Sequence, residues 1–385
     1  MKSRHHFGVT GTGNAARGFW RRLSGRRPVL LVAAAVVAVL LVGGAVFAVT
    51  RGDSPPPAAA PTNPPSQSAA PTPTPTPTVQ PGADLRGPLD LLLVGVDTRV
   101  SVKGWEPHAD AVLILHVNAD LESGYLFSLP RDLVVDIPAF PKSGYRGGTT
   151  KLTHAMSYGS RRGKGEPSAA QGFQLLSQTV SKYTGIKKFH AGAILNFGGF
   201  AKLVDELGGV DMYVDQKVVS KHRQPNGKAR TLRGGDYVGP QATYNPGNRH
   251  FVGWQAIDYA RQRYTAGGDY TRQRHQQQLI KAILAKALST GLPTDASAIE
   301  RLFKALGSSV DVIAGERTPV EYGFALSKLR PETLTLVSLP GGGVGSGSGY
   351  RGEQLTSVGK GFITQLRAGK ADAYLKANPK LVVKR

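Results

Sequence analysis

Cysteine is absent from all 385 residues, so no disulfide braces the fold and no thiol serves as nucleophile or metal ligand. The nine histidines show no H-x-x-x-H or similar spacing beyond an adjacent His5-His6, which removes the case for zinc. Acid is scarce: 26 Asp and Glu stand against 48 Lys and Arg, a formal net charge of +22. Residues 1–27 hold no acid at all, but carry Lys2, Arg4, Arg17, Arg21, Arg22, Arg26 and Arg27. Residues 29–50 then carry no charge of either sign.

That uncharged run is 22 residues long, and roughly 20 apolar residues span a hydrocarbon core. A secretory signal has a shorter apolar region of roughly 7–15 residues and a small-x-small cleavage site. Ala45-Val46-Phe47-Ala48 is a poor version of that site. The basic residues precede the span, so the positive-inside rule keeps them in the cytoplasm and sends the C-terminus out. The expected organisation is a cytoplasmic basic tail over 1–28 and a transmembrane signal anchor over 29–50, which puts the protein in the cell membrane with one pass.

Eleven prolines fall between Gly52 and Gly82, including a Pro-Thr alternation from Pro71 to Pro77. Such a segment lacks the apolar content for a core and favours extended polyproline II at about 3.1 Å per residue. Residues 51–83 are therefore expected to be an extracellular Pro/Thr-rich linker that holds the next domain off the bilayer. Beyond Asp53 the chain carries 40 basic and 25 acidic residues, a net of +15. Outside a membrane that surplus points to anionic partners: wall polymers, lipid phosphates or the membrane surface. Nucleic acid, the common partner of so basic a chain, is not expected there.

Residues 84–385 are long enough for one large domain or two small ones. The run at 89–96 is nearly all apolar, as in a strand buried on both faces. Strands are also expected at 111–117, 125–129, 210–214 and 334–339. Helices are expected from Ser168 to Gly185 with Gln171 completing a capping box, at 197–207 before Gly208-Gly209, and at 271–288. Later helical segments read at 296–306, 319–329 and 353–366, and the Gly-rich run at 341–349 reads as a flexible turn. Strands alternating with helices give an α/β domain, a central sheet covered by helices on both faces.

Polar residues gather where such a sheet binds ligands, beyond the carboxyl ends of its strands. Asp97 and Arg99 follow the first strand; Arg131 and Asp132 follow Pro130 after the third. Asp97 and Asp110 flank the first loop and could hold one hard cation such as Mg²⁺, although turn-forming roles explain two aspartates equally well. In I-D-Y-A-R-Q-R-Y-T-A-G-G-D-Y-T-R-Q-R-H-Q-Q (257–277), Arg261 and Arg263 alternate as on an extended backbone, and Arg272 and Gln276 share a helix face. Converging guanidinium groups suit phosphate or pyrophosphate, because each grips two oxygens. A solvated basic surface is the plainer alternative.

Seven motifs in order, V-G-V-D-T-R (94–99), A-D-A (109–111), S-L-P-R-D (128–132), K-L-T-H-A (151–155), F-x-x-L-V-D-E-L-G-G-V (200–210), Y-A-R-Q-R (259–263) and G-D-Y-T-R-Q-R-H-Q-Q (268–277), resemble the LytR-CpsA-Psr family. The resemblance implies a mixed central β-sheet sandwiched by helices, and a phosphotransferase that moves a phosphoglycan from a polyprenyl-pyrophosphate carrier onto a peptidoglycan hydroxyl. It implies that Asp97 and Asp110 hold Mg²⁺, that Arg99, Arg131, Arg261 and Arg263 line the pyrophosphate pocket with catalytic Asp269, and that Lys151, Arg272 and Gln276 bind substrate. His108, His154 and His275 depart from the family's pattern. Asp269 and Asp132 are the candidates for general base, and salt bridges to neighbouring arginines are their alternative role.

Two rival activities share the same residues: a polyprenyl-pyrophosphate phosphatase with water as acceptor, and a non-catalytic anchored binder or regulator of anionic polymers. An apolar slot for the carrier lipid is expected among Phe189, Phe197, Phe200, Leu203, Leu279, Ile280, Ile283, Leu284 and Ala287, unless these are plain core. The polar loop 216–249, with Lys217, Lys221, Arg223, Lys228, Arg230, Arg233 and Arg249, is expected to meet a wall polymer or acceptor glycan.

Overall fold

The computed structural model describes residues 80–97, 103–291 and 295–383. The expected tail, anchor and most of the linker lie outside these residues, as does Arg99. Among the described residues no helix is long and apolar enough to cross a membrane.

Six strands form the central sheet: β1 (Leu89–Asp97), β2 (His108–Val117), β3 (Gly124–Leu129), β4 (Ala191–Asn196), β5 (Val310–Ile313) and β6 (Leu334–Val337). Their order is β5-β4-β1-β2-β3-β6. β1 pairs parallel with β4 and β3 parallel with β6, while β1·β2, β2·β3 and β4·β5 are antiparallel, so the sheet is mixed.

The apolar run in β1 serves both faces through its two-residue period. Leu91 and Leu93 enter one core with Leu113, Leu115 and Leu195. Leu92 and Val94 enter the other with Ile114, Phe127 and Ile194. The second face is covered by α1 (Thr153–Ser160) and α2 (Ala169–Thr184), whose Met156, Phe173, Leu176 and Val180 are buried there. The first face is covered by α3 (Phe197–Glu206), α4 (Gly253–Arg261) and α5 (Gly268–Ser289), through Leu203, Ile257 and Ile283. Helices on both faces of a central sheet are the expected α/β arrangement.

Several boundaries move. β2 begins at His108, three residues earlier than its apolar pattern, because His108 pairs with Asp97 and extends the ladder through polar residues. α5 begins at Gly268, which puts Asp269 in its first turn. Ser168 caps α2 by accepting from Gln171 N, but Gln171 Nε2 turns away to the carbonyls of Gly159 and Arg161, so the capping box is only half formed. The Gly-rich run is ordered: Gly341–Val344 pairs antiparallel with Gly352–Leu355. That second strand occupies the start of the expected helix at 353–366, which instead begins at Ser357 under a Thr356 cap.

Candidate functional site

The site starts at a defect in the sheet. Gly95 pairs with Ala111, yet Val96 pairs with Ala109, so Asp110 is the extra residue of a β-bulge. A bulge leaves its residue unpaired and re-aims its side chain. Asp110 meets Arg131, which follows β3: Arg131 Nη1 donates to Asp110 Oδ1 at 2.6 Å. Burial opposes the charge on Arg131, but Asp110 beside it, then Asp132 and Asp269, outweigh this and raise its pKa.

α5 supplies the next members. Arg272 is 6% exposed; its Nη2 donates to Asp269 Oδ1 at 2.7 Å and to the backbone oxygen of Asp110 at 3.1 Å. Its Nε is buried and has no protein partner, a donor that an anionic ligand would satisfy. Burial lowers the pKa of Arg272, with Asp269 and Asp110 opposing this and Arg131 and Arg263 adding to it. Arg131 and Arg272 thus meet at Asp110, and Arg263 lies within electrostatic reach of Arg272. Gln276, one turn on, has a buried Oε1 with no protein partner.

Arg261 closes the group from α4, but not as an extended alternation with Arg263. It is the last residue of the helix, and Arg263 lies beyond it after the extended Gln262. Arg261 stacks its guanidinium on Phe197, 3.7 Å from the ring centroid. The side chain keeps an open solvent face while its recess lowers its pKa by desolvation, opposed by Asp97 and Asp110. Buried Asp258, one turn earlier, accepts from Ser220, Tyr244 and Gln262 and fixes the helix end. Nothing in the motif reading gave Asp258 this anchoring role, although its place three residues before Arg261 was visible.

Arg261 and Gln276 also line an apolar cleft whose other walls include Gly95, Ala111, Phe197, Phe200, Leu279 and Ile280. The cleft therefore runs into the charged cluster. Of the residues expected in a lipid slot, Leu203, Ile283, Leu284 and Ala287 do not line the cleft and are core alone. Phe189 packs against the opposite face.

Asp132 lies 3.5 Å from Lys151 Nζ and 4.0 Å from Arg131 Nε. Both oxygens of Asp269 are engaged, by Arg272 and by Gln273 Nε2 at 3.2 Å. His108 and His154 adjoin edge to face, their centroids 6.2 Å apart. Burial, then His108 and Lys151, hold His154 below the ordinary histidine pKa. His275 is away from the cluster: fully buried, it stacks on Tyr259 at 4.2 Å and bonds Asp215 at 2.9 Å. In the loop at 216–249, Arg223, Arg230 and Arg249 donate to carbonyls of their own loop, while Lys217, Lys228 and Arg233 are exposed.

For Mg²⁺, the available donors are the carboxylates of Asp97 and Asp110, both within electrostatic reach of Arg261. Among the described residues no group of three or more His, Asp or Glu gathers around one point. Two carboxylates fit Mg²⁺ when substrate phosphates and waters complete its shell.

Among known proteins, the chain is 28% identical over 207 residues to Biofilm regulatory protein A of Streptococcus mutans, covering 52% of this chain and 45% of that one. It is 30% identical over 203 residues to the polyisoprenyl-teichoic acid–peptidoglycan teichoic acid transferase TagU of Enterococcus faecalis, covering 52% and 54%. The chain thus spans about half the length of the curated relatives it matches. In fold it resembles a crystal structure of a Streptococcus agalactiae protein, with a TM-score of 0.56 at 22% identity over 74% of this chain and 87% of that one. It also resembles TagT bound to LI-WTA, with a TM-score of 0.53 at 20% identity over 74% and 90%. By its family model, which matches residues 62–357, the chain belongs to the LytR_cpsA_psr family.

Proposed function

We propose that the protein is a membrane-anchored phosphotransferase that moves a phosphoglycan from a polyprenyl-pyrophosphate carrier to a hydroxyl of peptidoglycan. One observation carries this: an apolar cleft ends at Arg261, within electrostatic reach of Asp97 and of Asp110, to which Arg131 and Arg272 are bonded. A carrier with an isoprenoid chain and a pyrophosphate head has the same two-part chemistry. Family membership supports the reading, as do relatives whose names state teichoic acid transfer to peptidoglycan.

Phosphoryl transfer demands positioning and charge stabilisation more than covalent work from the protein. The arginines grip the pyrophosphate oxygens, stay protonated, and offset the charge that grows on the leaving polyprenyl phosphate. Asp97 and Asp110 would hold Mg²⁺, which supplies Lewis-acid polarisation of phosphate oxygens when bound. The acceptor oxygen forms the new P–O bond, the bridging P–O bond of the pyrophosphate breaks, and the hydroxyl proton leaves to a base. Asp132 suits that base better than Asp269, because its ion pairs are the longer ones. The anchor at 29–50 and the linker at 51–83 would hold the domain outside the cell, within reach of the carrier.

The test is incubation of the full-length chain with a polyprenyl-pyrophosphate-linked glycan and peptidoglycan oligomers, with and without Mg²⁺. The expected result is a phosphodiester-linked product, lost in Arg261→Ala and reduced without the metal. Polyprenyl phosphate and unlinked glycan phosphate, with no phosphodiester product, would make the protein a phosphatase. Binding without turnover, unaffected by Asp97→Ala, would make it a polymer binder.

A further inference from the structure

The arginine cluster has two ends, and only one of them meets the apolar cleft. At the other, Asp132 is shared by Arg131 and Lys151, and the Lys151 ammonium lies 4.9 Å from the ring centroid of Tyr350. Tyr350 stands between the two strands of the Gly-rich hairpin and is 39% exposed. Asp132 and Asp269 both lie within electrostatic reach of its hydroxyl.

The hairpin is fastened to the cluster on both flanks. Tyr350 donates to Glu353 Oε1 at 2.9 Å, and Tyr270, next to Asp269, donates to Glu353 Oε2 at 3.1 Å. The backbone N–H of Glu353 donates to the carbonyl of Asp132 at 2.8 Å. Glycine is required at 345, where φ is +80° and an added Cβ would stand 2.1 Å from the carbonyl oxygen of Gly349. At Gly343 the backbone lies along the edge of the tyrosine ring, 3.5 Å from a Cβ built there. The Lys151 ammonium takes one face of the ring, and the remaining accessible part forms a ledge open to a ligand.

In-line phosphoryl transfer puts the attacking and leaving oxygens on opposite sides of phosphorus. If the carrier chain occupies the cleft beside Arg261, the acceptor arrives from the far end of the cluster, where this ledge is. The negative π-face of an aromatic ring attracts the positively polarised C–H groups of a sugar ring. We propose that Tyr350 is an acceptor-side platform on which a pyranose ring of the acceptor glycan stacks, positioning its hydroxyl near Asp132. The assignment rests on the transferase reading above.

The experiment is calorimetric titration of the full-length chain with two probes: a β-1,4-linked N-acetylglucosamine–N-acetylmuramic acid tetrasaccharide and farnesyl pyrophosphate. Tyr350→Ala is expected to weaken tetrasaccharide binding about three- to tenfold, the size of one aromatic contact, and to leave farnesyl pyrophosphate binding unchanged. Tyr350→Phe, which keeps the ring and loses the bond to Glu353, should retain most of the glycan affinity. Absence of tetrasaccharide binding in the unaltered chain, unchanged affinity in Tyr350→Ala, or an equal loss of both probes would overturn the platform. A chain that forms no phosphodiester, yet loses the tetrasaccharide selectively in Tyr350→Ala, would retain the platform and refute the transferase.

Discussion

Arg131 donates to Asp110 at 2.6 Å, tying the turn after β3 to the one residue that the bulge pushes out of the β1–β2 register. The pair fixes a cation and a carboxylate in the place where a pyrophosphate and its metal would meet. Arg131→Ala leaves Asp110 unpaired and removes a guanidinium from the cluster. Turnover should fall by about 10²-fold or more, the usual loss when one preorganised donor to a transition-state charge is deleted. Arg131→Lys should recover only part, because an ammonium cannot grip two oxygens in a plane. Steady-state rates on a polyprenyl-pyrophosphate glycan would show the order wild type, Lys, Ala; equal rates for Lys and wild type would reject a role for the planar fork.

Metal dependence should be traceable to Asp97. It ends β1 and, with Asp110, acts on Arg261. Chelation should slow the unaltered protein, and added Mg²⁺ should restore it. Asp97→Asn should start slow and respond little to either treatment, since the neutral amide is a poor ligand for a hard cation. An Asp97→Asn variant that remains fully Mg²⁺-responsive would move the metal elsewhere.

The apolar cleft can be shortened from its sheet side. Gly95 and Ala111 line it, and a Cβ added at Gly95 would come within 3.0 Å of the Ala111 Cβ, so there is no spare room between them. Ala111→Phe should occupy space otherwise open to the carrier. Affinity for a long-chain prenyl pyrophosphate should fall by about tenfold or more, as each buried CH₂ is worth about 0.8 kcal/mol. Inorganic pyrophosphate should bind as before. Equal loss for both ligands would mean that the substitution had disturbed the arginines and not the slot.

Four of the six sheet strands were legible as apolar runs, and Leu91 to Val94 divide between two cores; Ala191–Asn196 and Val310–Ile313 were not legible, and the expected strand at 210–214 pairs with Gly247–Phe251 outside the six-stranded sheet. The charged segment at 257–277 was legible only as residue types, which a solvated basic surface explained as well. Its geometry was not. The bulge at Asp110 depends on long-range register, and the position of Arg261 at a helix end depends on Asp258 being buried among Ser220, Tyr244 and Gln262. Helical period alone could not separate Leu279 and Ile280, which line the cleft as well as the core, from Ile283 and Leu284, which are core alone. The Gly-rich run looked like a flexible turn because glycine composition carries no record of the Glu353 bonds that hold it.

His275 stood out in the sequence only as a departure from the family's pattern; in the structure it bears on acid stability through Asp215. Asp215 accepts from His275 Nε2 at 2.9 Å, from Tyr259 at 3.3 Å, and from Arg274 Nε and Nη2 at 2.9 and 2.6 Å. Burial pushes the carboxyl pKa up, but the bonds and charges of His275 and Arg274 more than offset this and hold it at about 2, against 3.8 ordinarily. Between those values the unfolded chain binds the proton and the folded chain does not. The stabilisation is therefore complete above about pH 4 and is lost as pH falls through about 2. A shift of this size corresponds to about 2 kcal/mol. Asp215→Asn should lower the urea midpoint at pH 7 accordingly, and should flatten the fall in stability between about pH 4 and 2. If the gap between variant and wild type is as wide at the acid end as at pH 7, the carboxylate's charge is not what holds α5 to the segment around Asp215.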